Sequence, residues 1–129
     1  MKKIVILLIC VFLITLLQNC RNDEKQNLDI SVSGKVTNQN GTGIPNVKVH
    51  AWRGKIGNYA PTIYSDYEFV ITDNNGYYSY TVKNDTYQYK ICCEIPNGYT
   101  SVTPGCKEVD DSIIDSHTIP NVINFTLNN

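Results

Sequence analysis

The sequence has little of what helical proteins contain. Only 18% of its 129 residues are charged, there is one methionine and one tryptophan, and alanine and leucine are scarce beyond residue 20. The formal net charge of -1 argues against an electrostatic nucleic-acid binder, so no nucleic-acid partner is expected. Tyrosine, valine, isoleucine and threonine dominate instead, and these side chains favour half-buried strands. The composition therefore predicts an all-β protein.

Catalytic motifs are missing from the sequence as well. Its two histidines, His50 and His117, lie in different segments, and no serine, cysteine or aspartate stands at motif spacing beside either. The chain has no Gly-x-Ser-x-Gly elbow, no phosphate-binding loop and no His-Glu-x-x-His sequence. We therefore expect a protein that is not an enzyme.

The N-terminus has the pattern of a signal peptide. Lys2 and Lys3 precede an apolar run from Ile4 to Leu17 that only Thr15 interrupts. As a helix this run would span roughly 21 Å, which is short of the ~30 Å hydrocarbon core of a bilayer. The run is therefore predicted to be a signal-peptide core and not a membrane anchor. No small-x-small cleavage site follows it, and Cys20 stands where the mature chain should begin.

The stretch "LLQNC", which ends at Cys20, resembles the lipoprotein box of bacterial lipoproteins. The resemblance implies that a signal peptide over residues 1–19 is removed and that Cys20 carries acyl chains such as palmitate, which anchor the protein in a membrane. Asn19 replaces the small residue usual before that cysteine, so a secreted protein cut elsewhere is the alternative.

Residues 20–28 are predicted to be the lipidated cysteine and a flexible tether, because they contain almost no apolar side chain. The "NDE" after Cys20 resembles signals that direct some lipoproteins to the outer surface of Gram-negative bacteria. The expected location is therefore the bacterial cell envelope, where the protein would be an outer-membrane lipoprotein. It would face either the cell surface or the periplasm.

Residues 29–129 alternate short β-like runs with turn residues and show no helical period. Gly34 inside the first run predicts a close approach of backbone or a bulge. The sequence "DNNG" predicts a hairpin turn, and residues 53–66 are predicted to form a long loop. Six or seven strands in about 100 residues are typical of a β-sandwich. The predicted strands are Ile30–Val36, Val47–Trp52, Tyr67–Thr72, Tyr77–Val82, Tyr87–Ile95 and Val122–Leu127.

Three stretches, in this order, resemble the carboxypeptidase-regulatory-like and collagen-adhesin B-type domains: "ISVSGKVTNQNGTGIPNVKVHA", "TDNNGYYSYTV" and "YQYKICCEIPNGYT". The tail "DDSIIDS" resembles that of the B domains of serine-aspartate-repeat adhesins. The resemblance covers nearly all of residues 30–127. It implies a seven-stranded, prealbumin-like (immunoglobulin-like) β-sandwich of a kind that is mostly non-catalytic, found in stalks, accessory domains, adhesin modules and partners of outer-membrane receptors.

Three cysteines follow the tether, and thiols outside the cytoplasm tend to pair. Adjacent cysteines on a strand face opposite ways, so only one of Cys92 and Cys93 can face Cys106. Cys93 shares the inward face with Ile91, which favours a Cys92–Cys106 disulfide. Such a bridge closes a loop of about 15 residues and is worth ~3 kcal/mol in the chain-entropy model.

Exposed aromatic residues are the candidates for ligand binding. Trp52 falls on the outward face of its strand, and Tyr59, Tyr64 and Tyr67 lie in or beside the predicted loop. Such rings are stacking platforms for sugars or for side chains of a partner. The alternative is that the loop folds back and covers Trp52 as a small satellite core.

An acidic stretch near the C-terminus is the candidate metal site. The related adhesin domains bind calcium, and their aspartates would correspond to Asp110, Asp111 and Asp115. Calcium takes six to eight oxygen ligands, and the turn after the first strand, "NQNGTG", lacks the acidic residues of those domains. The alternative is a solvated polar loop, and no other cofactor is expected.

The sequence thus predicts a non-catalytic envelope lipoprotein, attached to the membrane through Cys20, that acts as a protein-interaction or accessory module at the outer membrane. The expected partner is a protein of the envelope. Two alternatives remain: a surface module that binds polysaccharide through Trp52 and the loop tyrosines, and a calcium-stabilised structural or adhesin spacer.

Overall fold

A computed structural model describes residues 28–55, 57, 60–114 and 117–129, without the side chains of 113 and 114. This part of the chain contains strands and no helix, so the all-β prediction is confirmed. The signal peptide, Cys20 and most of the tether lie outside it. The described residues form eleven strand segments: β1 Ile30–Asn38, β2 Lys48–Lys55, β3 Ile63–Ile71, β4 Tyr77–Val82, β5 Tyr87–Cys93, β6 Ser101–Thr103, β7 Cys106–Glu108, β8 Ile113–Ile114, β9 His117–Thr118, β10 Asn121–Val122 and β11 Phe125–Asn128.

The strands form two main sheets and a short ladder between β8 and β9. In the first sheet β1 is central: one edge pairs antiparallel with β4, and the other pairs parallel with β10 and then with β11. β6 continues this sheet beyond β11. The second sheet has the order β3-β2-β5-β7 and is antiparallel throughout. The predicted count of seven strands is not reproduced, because the last 30 residues are divided into several segments of two to four residues.

The core lies between the two sheets and follows from alternation along each strand. In β2, Val49 and Ala51 are fully buried, while Lys48, His50 and Trp52 point the other way. Each fully buried aliphatic or aromatic side chain contributes about 1.5–3 kcal/mol relative to exposure. The buried apolar residues are Ile30, Val32, Val36, Val47, Val49, Ala51, Tyr78, Val82, Tyr89, Ile91, Cys93, Ile123, Phe125 and Leu127.

The long loop predicted over residues 53–66 is much shorter in the structure. β2 continues to Lys55 and β3 begins at Ile63, because these residues pair in one antiparallel ladder that includes Gly54 and Tyr64. The sequence hides this extension, since Arg53, Gly54 and Lys55 carry no apolar alternation.

The "DNNG" turn forms as predicted, but it does not close a hairpin. The Asp73 carboxylate accepts hydrogen bonds from the backbone N–H groups of Asn75 and Tyr77, both at 2.8 Å, and Gly76 has a φ of +81°. These are the features of a tight turn. However, β3 pairs with β2 and β4 pairs with β1, so this turn is a corner that carries the chain from one sheet to the other.

Candidate functional site

The side of the second sheet that faces away from the core is the candidate site, and we call it the outer face. It carries Trp52 on β2, Tyr64 on β3 and Lys90 on β5. Trp52 lies opposite Lys90 in the ladder, and Gly54 lies opposite Tyr64. The side chains of Thr62 and Tyr64 cover Gly54, where an added Cβ atom would clash with both, and a shallow depression lies beside the Trp52 ring. The shallow depression is lined by Trp52, Thr62, Tyr64, Lys90, Cys92 and Cys106.

The Cys92–Cys106 disulfide is present and forms one wall of the depression. The two cysteines are directly opposite each other in the ladder between β5 and β7, with 4.1 Å between their Cα atoms. Cys93 is a free, buried thiol on the core side. The predicted pairing is therefore confirmed, and it holds the short edge strand β7 onto the sheet.

Tyr64 is held in place by two charged neighbours. The Lys90 ammonium lies 4.2 Å from the centroid of the Tyr64 ring, and the Tyr64 hydroxyl donates a long hydrogen bond of 3.5 Å to Glu108 Oε1. Partial burial raises the pKa of Tyr64, and the charge of Glu108 and its hydrogen bond raise it further. The phenol therefore stays protonated at neutral pH and serves as a hydrogen-bond donor.

A polar row continues along the outer face beside Trp52. His50 Nδ1 is 3.3 Å from Asp66 Oδ1, and His50 Nε2 is 3.5 Å from Glu94 Oε2. Lys48 lies 3.9 Å from the same Glu94 carboxylate. Both ring nitrogens of His50 thus face carboxylates, and the nearest cysteine, Cys92, is held in the disulfide. The row offers charged and hydrogen-bonding groups, and it contains no activated nucleophile for His50 to serve.

Apolar side chains on β3 extend the outer face. Phe69 and Ile71 are 50% and 53% exposed, and they lie opposite His50 and Lys48 in the ladder. The Phe69 ring contacts the His50 ring at 5.7 Å and lies 5.4 Å from the Lys48 ammonium. Exposed aromatic and apolar groups bordered by charges are typical of interaction surfaces.

Tyr67 does not join the other predicted aromatic residues. A β-bulge shifts the register between Ala51 and Trp52, and it leaves Tyr67 as the extra residue on β3. Its ring packs against the core and makes an edge contact of 5.8 Å with Tyr89. Of the four predicted ligand-binding residues, the structure brings together Trp52 and Tyr64; Tyr59 lies outside the described residues.

Arg53 is a residue that sequence reasoning missed. Its guanidinium lies between two rings on the core side of the second sheet, 4.6 Å from the centroid of Tyr67 and 5.0 Å from that of Tyr87. The alternation of Val49 and Ala51 predicts the core-facing direction of Arg53 once β2 is extended. Assigning residues 53–66 to a loop concealed that signal.

The described part of the acidic stretch does not form a cluster of metal ligands. The exposed Asp110 accepts a hydrogen bond from the Ser112 backbone N–H at 2.9 Å, and its bonds with Ser112 lower its pKa. Within residues 28–114 and 117–129, as far as described, no group of three histidine, cysteine, aspartate or glutamate residues could hold a metal. Asp111 is exposed, and Asp115 lies outside these residues. The calcium site stays a prediction.

No protein-family model matches this chain, and no curated protein matches it in sequence. In the part of the chain that the structure describes, no helix has the length and apolar character needed for a membrane span.

Proposed function

We propose that this chain is a non-catalytic lipoprotein of the bacterial cell envelope that binds a protein partner through its outer face. The observation that carries the proposal is the composition of that face. Trp52, Tyr64, Phe69 and Ile71 are partly or largely exposed on a regular sheet, and charged side chains border them. Tryptophan and tyrosine dominate the binding energy of many protein interfaces, because they bury a large area and lose little conformational entropy.

The anchor is proposed to be the lipid on Cys20. The support for it is the "LLQNC" sequence, the short apolar run before it and the polar residues after it. Acyl chains give membrane affinity of ~0.8 kcal/mol per buried CH₂, so several chains hold a small domain firmly. Metabolic labelling with a palmitate analogue should label the wild-type chain and should not label Cys20→Ala.

A prealbumin-like sandwich is the finer fold that we propose. It is supported by the two facing sheets and by the order of the motifs "TDNNGYYSYTV" and "YQYKICCEIPNGYT" in the sequence. The families that these motifs resemble consist mostly of binding and accessory domains, which agrees with an interaction role. Fold alone does not establish function, so the proposal depends on the outer face.

Cross-linking in intact cells tests the proposal. A tagged full-length chain should recover one membrane protein in stoichiometric amount, and Trp52→Ala should reduce that recovery strongly. Tyr77→Ala is the matched control, because Tyr77 is 54% exposed on β4 of the other sheet. Loss of recovery in both variants, or in neither, would contradict a role for the outer face.

Carbohydrate binding is the second candidate function. The depression beside Trp52 favours it, because it places an indole ring, a tyrosine hydroxyl and the Lys90 ammonium around one recess. Aromatic rings stack on sugars, and hydrogen-bond donors orient them. In this case the wild-type chain should be retained on a column of envelope polysaccharide, Trp52→Ala should not be, and recovery of a protein partner should fail.

A further inference from the structure

The guanidinium of Arg53 is held on two sides by aromatic rings. Its Cζ atom is 4.6 Å from the ring centroid of Tyr67 and 5.0 Å from that of Tyr87, and we call these three residues the arginine clamp. All three side chains are partly exposed. Ring faces attract a planar cation and limit its rotamers, so its N–H groups keep a fixed direction.

The carboxylate beside the clamp is committed to other partners. Asp85 Oδ1 accepts a hydrogen bond from the Tyr87 backbone N–H at 2.9 Å, and Asp85 Oδ2 accepts one from the Tyr89 hydroxyl at 3.1 Å. Both carboxylate oxygens of Asp85 therefore accept hydrogen bonds from residues of β5. The tyrosine hydroxyl, and not the arginine, takes the second oxygen.

Arg53 has no anionic partner of its own among the residues described. No carboxylate of that part of the chain lies within ion-pair distance of its guanidinium, and its nitrogens donate no hydrogen bond there. Lys48 and Lys83, by contrast, each pair with a carboxylate. A guanidinium carries five N–H donors in a rigid fork, and no residue that the structure describes accepts a hydrogen bond from those of Arg53.

We propose that the arginine clamp binds a carboxylate of the protein partner, supplied by an aspartate or glutamate side chain. The inference rests on the proposed interaction role and adds a second contact region. This region lies on the side of β2 opposite to Trp52. Arginine and tyrosine are enriched among the residues that contribute most to binding at protein interfaces. The fork of a guanidinium also matches the two oxygens of a carboxylate.

The surroundings select this ligand over other anions. The Asp85 carboxylate accepts a hydrogen bond from the backbone of Tyr87, a member of the clamp, and its charge repels a doubly charged phosphate more than a singly charged carboxylate. The ring faces of Tyr67 and Tyr87 that meet the guanidinium are occupied, so they cannot stack on a sugar. An aspartate or glutamate side chain can be bound by the N–H groups of the guanidinium alone.

Nuclear magnetic resonance of the full chain in detergent micelles tests the inference. The chain has two arginines, Arg21 and Arg53, so the side-chain Nε–H spectrum contains two signals, and Arg53→Lys assigns them. The probes are a short neutral peptide with a single glutamate, the same peptide with glutamine, a galacturonate trimer and inorganic phosphate. Lys35→Gln is the matched control, because Lys35 also lies over a tyrosine ring, that of Tyr77, but on the first sheet.

The glutamate peptide should shift the Arg53 Nε–H signal and the backbone signals of Tyr67 and Tyr87, and the glutamine peptide should not. Arg53→Lys and Arg53→Gln should weaken binding by at least about tenfold, and Lys35→Gln should leave it unchanged. No shift of the wild-type signal up to about 10 mM glutamate peptide would overturn the inference. Tighter binding of galacturonate or phosphate would overturn it too, and so would equal binding of both peptides.

The proposed function is tested separately, by cross-linking recovery of the membrane partner from intact cells with wild-type and Trp52→Ala chains. If the glutamate peptide does not shift the Arg53 signal but the membrane partner is recovered, only the inference about the arginine clamp is overturned. A clamp that binds the glutamate peptide, with no partner recovered by any chain, supports the carboxylate site and overturns the interaction role.

Discussion

The hydroxyl of Tyr78 donates a hydrogen bond of 2.6 Å to the backbone carbonyl oxygen of Ile123. Tyr78 is on β4 and Ile123 follows β10, on opposite edges of β1, so the tyrosine side chain crosses β1 at Gly34. A Cβ atom at Gly34 would lie 1.8 Å from the same carbonyl oxygen and 2.9 Å from the Tyr78 ring. The close approach predicted at Gly34 is confirmed, and one buried hydrogen bond connects β4 across β1 with the segment that follows β10.

Tyr78→Phe removes this hydrogen bond and keeps the ring. We expect a loss of roughly 1–2 kcal/mol in the free energy of unfolding, because a buried carbonyl loses its donor. Urea unfolding followed by tyrosine fluorescence measures the loss. Tyr77→Phe, at an exposed neighbouring position, should change stability by less than about 0.5 kcal/mol, and an equal effect in the two variants would contradict the role of the bond.

Gly34→Ala introduces a methyl group where the Ile123 carbonyl already lies. We expect a loss of at least about 2–3 kcal/mol, because the blocking atom belongs to the backbone and cannot rotate away. Gly105→Ala is the matched control: its added Cβ would meet nothing within 4 Å, so it should be nearly neutral. Thermal unfolding of the two variants compares them, and similar melting temperatures would count against the close packing.

The double variant Cys92→Ser, Cys106→Ser should unfold ~3 kcal/mol more easily than the wild type, because the bridge closes a loop between residues 14 apart in sequence. Urea midpoints in the presence and absence of reductant measure the effect. Reductant should lower the wild-type midpoint towards that of the variant and leave the variant unchanged. An insensitive wild type would show that β7 is held without the bridge.

The reactivity of Cys93 should depend on pH in a way that reports its burial. Burial raises the pKa of this thiol from 9.0 to about 12, and the charge of Glu94 adds to the shift. The thiolate is the reactive form, so at pH 9 iodoacetamide should label native Cys93 more than about a hundredfold more slowly than unfolded Cys93. Native labelling should keep rising with pH up to about 12, whereas unfolded labelling should level off above pH 9.

Mass spectrometry of the peptide that carries Cys93 measures this labelling. Cys92 and Cys106 are internal controls, because without reductant they should stay unlabelled in both states. The raised pKa of Cys93 also makes the stability of the folded state depend on pH. The folded state holds the thiol proton more tightly, so the contribution of Cys93 is complete below pH 9 and is lost as the pH rises towards 12. Native labelling that levels off near pH 9 would show that Cys93 is exposed.

Alternation predicted much of the core from the sequence. It placed Val49, Ala51 and Ile91 inside and Trp52 outside, because side chains of a strand point alternately to its two faces. It also distinguished the two neighbouring cysteines, so that the disulfide followed. Alternation does not predict which strands pair with each other. The parallel pairing of Val36 with Phe125 joins distant parts of the chain and leaves no local signal.

The candidate site was predicted only in part, for a similar reason. Trp52 was found because it belongs to a regular strand, and Tyr64 was found as an aromatic residue although its strand was taken for a loop. The bulge that turns Tyr67 to the core has no glycine to mark it in the sequence. The clamp around Arg53 depends on that bulge and on the extended β2, so it becomes visible only in three dimensions.

Site-specific photo-cross-linking tests the interaction role of the outer face most directly. A photoreactive phenylalanine analogue replaces Phe69 on the outer face or, as the control, Tyr77 on β4, in full-length chains in living cells; the two positions are similarly exposed, at 50% and 54%. Irradiation should give one discrete protein adduct from position 69, of the same mass in each experiment, and none from position 77. Adducts from both positions, or from position 77 alone, would contradict the proposed role of the outer face.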